Sequence, residues 1–181
     1  MKDIKTPLNE LILTRPDPDA LFALSWFEAP YGKETLILMG NPEHRINTPN
    51  LKEETDRVYE FLKLEKENKQ LTWMIRYDDK TIGAVWLELD DTEHLKSPAF
   101  HIMIGDKNYR GKGFGRVIMQ EMIDYTKNVL KAETLYSRHL VSNKGIAHLN
   151  ESFGFIKDGK PYKDTDELEF QNIKLKFSFH I

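Results

Sequence analysis

Residues 173–179 alternate strictly: Ile173, Leu175, Phe177 and Phe179 are apolar, and Lys174, Lys176 and Ser178 between them are polar. That period of two predicts a strand with one buried face. Residues 71–77 and 81–89 are two further strand-like runs, and Asp78 and Asp79 between them predict a hairpin. Residues 8–15 read as the first strand, ended by the turn residues Pro16, Asp17, Pro18 and Asp19. Residues 97–104 read as another, with Phe100, Ile102 and Ile104 on one face, and residues 134–141 as one more. Helical spacing appears over 114–130, where Ile118, Met122, Tyr125 and Val129 recur on one stripe. It appears again over 50–66, with Val58, Phe61, Leu62 and Leu64 on the apolar side and Lys52, Glu53, Glu54, Asp56 and Arg57 mostly elsewhere. Asp17 or Asp19 can cap a short helix through Leu21, Phe22, Leu24, Trp26 and Phe27. Ser142 or Asn143 starts another, which stops at Gly154, a position suited to a left-handed cap. Residues 28–49 carry Pro30, Gly32, Gly40, Pro42 and Pro49 and read as irregular. A loop that long inside a domain is often functional.

The resulting order, β-α-α-β-β-β-α-β-α-β with an optional further strand at the end, describes one mixed α/β domain over residues 1–181. The strands 97–104 and 134–141 are joined through a helix, which predicts parallel neighbours. Apolar residues are 40% of the chain and aromatics 11%, enough to close a core. The net charge of −3 offers no general attraction to nucleic acid, and none is expected as a partner. No cysteine is present, so disulfides, thiolate nucleophiles and cysteine metal sites are excluded. No uncharged apolar run approaches the roughly 20 residues a membrane span needs. The mean hydropathy is −0.56, and a cytoplasmic protein without a membrane partner is expected.

Candidate chemistry concentrates between the fourth strand and the long helix. Gly111, Gly113 and Gly115 let backbone approach a ligand closely. The first amides of a helix have no intrahelical partner and favour an anion. Lys107, Arg110, Lys112 and Arg116 add four cations there. The stretch reads as a phosphate or pyrophosphate cradle. It matches neither the dinucleotide fingerprint nor the nucleotide-triphosphate loop.

Arg110-x-x-Gly113-x-Gly115 resembles motif A of the GNAT N-acetyltransferase superfamily, and the wider string 102–115 resembles its RimJ/RimL-like branch. Downstream, Asn143, Ile146, Ala147, Leu149, Asn150, Glu151, Phe153, Gly154 and Phe155 resemble the second signature of that family. The resemblance implies a GNAT fold: a central mixed, mostly antiparallel sheet of six to seven strands, with a splayed parallel pair and flanking helices. It implies acetyl-CoA as cosubstrate. Ile102, Met103 and Ile104 would pair with the pantetheine arm. Arg110, Gly111, Lys112, Gly113, Phe114, Gly115 and Arg116 would hold the pyrophosphate, and Asn143 would touch the cofactor from the other side. The implied reaction moves an acetyl group directly from the thioester to a primary amine of a small molecule or a protein N-terminus.

Such a transfer needs a polarised carbonyl, and a backbone amide near residues 102–104 can serve. It also needs a proton acceptor. His101 is the first candidate and Glu88, acting through water, the second. Many relatives carry a general-acid tyrosine where this chain has Asn150, and a glutamate where it has Ala99. With Asn150 there, the leaving thiolate is expected to be hydrated or protonated by water. Tyr136 is a weaker substitute.

Glu88, Asp90, Asp91 and Glu93 can draw in a cationic amine or be a solvated hairpin exit. Trp26, Phe27, Tyr31, Glu34, Glu43, His44 and Arg45 are expected in the acceptor wall. His44 has no second histidine at ligand spacing, so no metal is expected. A monomer or homodimer is consistent with the chain. The competing reading is an acyl-CoA-binding sensor with little catalytic activity.

Overall fold

Asp78 and Asp79 take φ of 47° and 62°, the left-handed pair that a tight two-residue hairpin turn requires. They join β3 (Gln70–Tyr77) to β4 (Lys80–Glu88) with Tyr77 opposite Lys80. The computed structural model describes residues 1–18, 26 and 31–178. Around this hairpin a nine-stranded sheet is built from β1 (Ile4–Lys5), β2 (Leu11–Thr14), β5 (Ala99–Ile104), β6 (Thr134–Leu140), β7 (Ile156–Lys157), β8 (Tyr162–Lys163) and β9 (Glu169–Lys176). The spatial order is β1-β2-β3-β4-β5-β6-β9-β7, with β8 also on β9. Among the described residues only β5 and β6 are parallel, as the strand–helix–strand order predicts.

The sheet has more strands than expected because β1, β7 and β8 are two residues long. Such pieces carry no hydrophobic period. The first strand is shorter than 8–15: the chain turns at Leu8, whose carbonyl accepts from the Leu11 amide, before β2 begins. Residues 28–49 are not irregular throughout. They contain α1 (Tyr31–Leu38) and a 3-10 turn over Glu43–Arg45. Gly40 follows α1 rather than interrupting it. Gly40, at φ +90°, adopts the left-handed conformation common after a helix end. The helix expected through Phe27 lies outside the described residues, apart from Trp26, as does Phe179 of the last strand.

Helix α2 (Leu51–Lys66) begins at a capping box. Asn50 Oδ1 accepts from the Glu53 amide, and Glu53 Oε2 from the Asn50 amide. Such a cap contributes about 1 kcal/mol. One of its charges departs from the expected solvated face. Glu54 is buried, one turn before Val58 on the inward stripe. Burial holds its carboxyl above the ordinary range, and Arg57 Nη2 stands 3.3 Å from Oε1.

Helix α3 (Phe114–Asn128) buries Phe114, Ile118, Met119, Met122 and Ile123. These pack on Trp73, Ile75, Val85, Leu87 and Phe100 from one sheet face, forming the main core. Val129 does not join them. It lies past the last helical residue and is exposed. Helix α4 (Lys144–Ser152) ends before Gly154 at φ +85°, the left-handed residue expected there. On the opposite sheet face Trp26, Met74 and Ala84 form a small second cluster, with Met103 against it.

Candidate active site

The parallel pair opens after two residues. Ala99 pairs with Tyr136 and Phe100 with Ser137, and β5 and β6 then diverge. At the fork the Ser137 hydroxyl donates to the Phe100 carbonyl at 2.7 Å. It caps an acceptor that the next β6 amide would have reached in a continued ladder. Strand alternation then turns the Ile102 N–H and C=O to the same side, where no strand faces them. The opening is the mouth of a cleft of about 430 Å³. Its wall includes residues 100–104 of β5, residues 137–140 of β6, and Asn143, Gly145, Ile146 and Leu149 at the start of α4.

The glycine loop closes one end. Gly111 and Gly113 have φ of +72° and +85°. A Cβ at either would meet nothing within 4 Å, so glycine is required by backbone conformation and not by crowding. The amides of residues 111–115 donate to no acceptor among the described residues. They stand at the N-terminus of α3, where unpaired N–H groups and the helix dipole favour an anion. Tyr77, Tyr109 and Phe114 hold the loop from below, with Tyr77 and Phe114 ring centroids 4.7 Å apart.

The Arg110 guanidinium does not lie free in this cradle. Nε donates to the Ile104 carbonyl at 2.9 Å, and Nη2 to the Thr35 hydroxyl of α1 at 2.7 Å. It ties the end of β5, the glycine loop and α1 together. Of the other expected loop cations, Lys112 and Arg116 do not line the cleft. Lys112 Nζ sits over the Tyr109 ring at 5.1 Å, and the Arg116 guanidinium over Phe153 at 5.3 Å. Asn143 does line it, but its side chain is engaged: Oδ1 accepts from the Ile146 amide, capping α4, and Nδ2 donates to the Leu38 carbonyl.

At the other end, His101 and Glu88 come together across the β4–β5 ladder. His101 Nε2 lies 3.4 Å from Glu88 Oε1, close but not aligned as a hydrogen bond. Trp86, directly opposite His101 in the register, stacks on the imidazole with centroids 5.2 Å apart and planes 12° from parallel. The His101 imidazole holds the Glu88 carboxyl below the usual range, against the opposing effect of burial. The Arg138 charge adds to the lowering.

Asn150 is not brought to this place. It is 1% exposed and lines a separate cavity of about 310 Å³ with His148, Phe155 and Gln171. Both its side-chain polar atoms lack partners there. Of the acidic run, only Glu88 lines the cleft; Asp91 instead accepts from the Ser97 amide and hydroxyl. The segment expected as acceptor wall contributes Thr35, Leu38 and Met39 to the cleft. Glu43 pairs with Lys33 and Arg45 with Asp166 instead, and Trp26 is buried against Gly105. Sequence reasoning missed Trp86, Arg138, His139 and Phe170. For Arg138 a signal existed. Its position alternates with Leu135 and Ser137, which places a charged side chain on the sheet face opposite the main core.

The sheet, its parallel pair splayed beside a glycine cradle at a helix start, defines a mixed α/β fold with an anion site at the mouth of a cleft. The chain belongs to the acetyltransferase (GNAT) domain family, which it matches over residues 11–156. It is 33% identical over 79 residues to the spermidine N(1)-acetyltransferase of Vibrio cholerae serotype O1. That match spans 43% of this chain and 44% of the relative, less than half the length of either. Among solved structures, it resembles the Microcin C7 self immunity acetyltransferase MccE in complex with acetyl-CoA and AMP. There the TM-score is 0.74 at 15% identity, covering 93% of each chain. It also resembles RimL, the ribosomal L7/L12 alpha-N-protein acetyltransferase, in complex with coenzyme A. There the TM-score is 0.76 at 13% identity, covering 92% of this chain and 94% of that one. Among the described residues no cluster of three or more metal-ligating side chains occurs, and no helix is long and apolar enough to cross a membrane.

Proposed function

We propose that the protein moves an acetyl group from acetyl-CoA to a primary amine, as an N-acetyltransferase of the RimJ/RimL-like kind. The observation that carries this is the row of unpaired amides at 111–115 opening directly into the cleft between β5 and β6. Those residues fit a pyrophosphate: positive-φ glycines, helix-start N–H groups and no Cβ in the way. Acetyl-CoA supplies the activated acyl group as a thioester.

The chain's own residues do the rest. The bare edge of β5 from the Ile102 C=O to the Ile104 N–H faces an extended amide-bearing arm, as a strand edge accepts a peptide. The Ile102 amide is the donor we assign to the carbonyl oxygen as charge develops there. His101 takes the proton that the attacking amine must lose. With its own proton on Nε2, toward Glu88, its Nδ1 carries the lone pair. Glu88, held ionised, stabilises the imidazolium that forms. The amine nitrogen bonds to the carbonyl carbon, the carbon–sulfur bond breaks, and the thiolate leaves. No covalent enzyme intermediate is required, in keeping with a chain that has no cysteine.

Thermal melting with acetyl-CoA tests the site, and free-thiol release on addition of amines tests the transfer. A rise in melting temperature together with amine-dependent thiol release is expected. No shift at cofactor concentrations far above the micromolar range overturns the reading. The sensor reading has one observation in its favour. Among the described residues the only tyrosine in the cleft wall is Tyr109, beside the glycine loop, so no phenol stands by the leaving thiolate. A melting shift without thiol release on any amine would select it.

A further inference from the structure

The cleft contains a cation that takes no direct part in the transfer, although its charge helps to keep Glu88 ionised. Arg138 lies on β6, two residues beyond Tyr136, which pairs with Ala99. His101 lies two residues beyond Ala99. The two side chains therefore share one sheet face and stand on opposite banks of the splay. Arg138 is half-buried in the cleft wall, and its guanidinium stacks on the Phe170 ring at 4.7 Å. Nη1 donates to the Tyr162 hydroxyl at 3.1 Å. No carboxylate lies within ion-pair distance of it among the described residues, and its remaining N–H groups meet no acceptor there. Arg110, the other arginine in the wall, has its guanidinium anchored to Ile104 and Thr35. A guanidinium that lines a cleft without a carboxylate partner keeps donors that an anionic ligand can take up. This one is held flat by an aromatic ring, with donors left over, facing the place where an amine would be deprotonated.

We propose that Arg138 selects an acceptor amine that carries an anionic group, a carboxylate or a phosphate, a few bonds from its nitrogen. This rests on the acetyl-transfer reading above and adds the substrate class to it. The guanidinium fork suits either oxyanion and would set the nitrogen toward His101. The same charge works against an acceptor with a second ammonium. Of the acidic residues that could have attracted such a polycation, Asp90, Asp91 and Glu93 lie outside the cleft wall, and Glu88, which lines it, stands against His101.

The test compares four amines of similar size: 2-aminoethyl phosphate, β-alanine, uncharged 2-methoxyethylamine and dicationic putrescine. Wild-type kcat/KM should favour at least one anionic amine over the uncharged one by about tenfold or more, as a charged hydrogen-bonding pair confers. The phosphate and carboxylate arms decide which group is read. Arg138→Gln should erase the preference mainly through KM for the amine, and Arg138→Lys should restore part of it. The KM for acetyl-CoA should stay within about twofold. Equal rates for all four amines, a preference for putrescine, or a preference that survives Arg138→Gln would overturn the assignment while leaving acetyl transfer standing. If none of the four amines is acetylated, kinetics cannot rank them. The assignment is then judged by melting the CoA complex with each anionic amine: a rise in wild type that Arg138→Gln loses supports it, and no rise overturns it.

Discussion

His101 and Glu88 face each other diagonally across the β4–β5 ladder, Nε2 to Oε1 at 3.4 Å, with Trp86 stacked on the imidazole. The stack and the carboxylate fix the ring where β5 begins to part from β6. His101→Ala should lower kcat about 100-fold, the lower end of what a positioned base contributes, while leaving the affinity for acetyl-CoA unchanged. Stopped-turnover thiol release checks the first and equilibrium titration the second. Full activity across pH 6–9 would remove His101 from the mechanism.

The same pair predicts a pH dependence of stability. The imidazole keeps the folded Glu88 carboxyl below its unfolded value of about 4.3. A depressed carboxyl stabilises the fold above the unfolded value and loses that contribution as pH falls through the folded one. Glu88→Gln should therefore melt lower than wild type at pH 7, with the gap closing below about pH 4. A gap that stays constant down to pH 3 would show that the carboxylate charge adds nothing.

Gly113 and Gly159 share nearly the same φ, +85° and +84°, and a Cβ at either meets open space. Alanine at each should cost a similar amount, about 1 kcal/mol, from backbone strain alone. Only Gly113→Ala should also weaken acetyl-CoA binding, because Gly113 is the N-cap whose geometry aims the free amides. Denaturant unfolding and cofactor titration of the two variants separate the effects. Equal cofactor affinity in both would argue against the cradle.

Arg110 acts here as a tether. Thr35→Val removes one of its two acceptors without touching the loop. It should reproduce part of the loss in cofactor affinity expected for Arg110→Gln, whereas Lys112→Ala, whose ammonium lies over Tyr109, should lose less than Arg110→Gln. Isothermal titration of the three variants ranks them. If Lys112→Ala is the most damaging, direct charge contact outweighs tethering.

Asn150 is almost fully buried, and both its polar atoms lack partners in the fold. A buried unpartnered amide costs about 1–3 kcal/mol. Asn150→Leu, with the same branching and a bulk that the adjoining cavity can take, should raise the unfolding free energy by about 1 kcal/mol and leave cofactor affinity unchanged, since the residue lies off the cleft. A clear loss of stability would mean that its amide is satisfied in solution.

Much of this arrangement is legible in the chain. The parallel pair follows from a strand–helix–strand order, and the cradle from glycines placed where a strand hands over to a helix. The alternation of residues 173–179 marks β9, although the buried run begins earlier, at Phe170. Helix α1 is not legible, since eight residues with weak periodicity carry little local signal. Arg110 on Thr35 is one of the tertiary contacts that hold it in place. Asn150 shows the limit of motif matching. The signature locates the helix, but which cavity a side chain enters depends on helix rotation, set by packing far along the chain. Alternation puts Arg138 on the face away from the main core, but which residues stand opposite it across the splay is set by nonlocal pairing.

The fork at Phe100 has a mechanical consequence. Strands β1–β5 and the group β6–β9 are riveted by two residue pairs, Ala99 with Tyr136 and Phe100 with Ser137, and by the helices that straddle them. A molecule threaded into the seam and bonded to the bare Ile102 edge becomes mortar between two half-walls. Substrate and scaffold are then hard to tell apart, because the carrier that brings the acyl group also stiffens the masonry against which the reaction is performed.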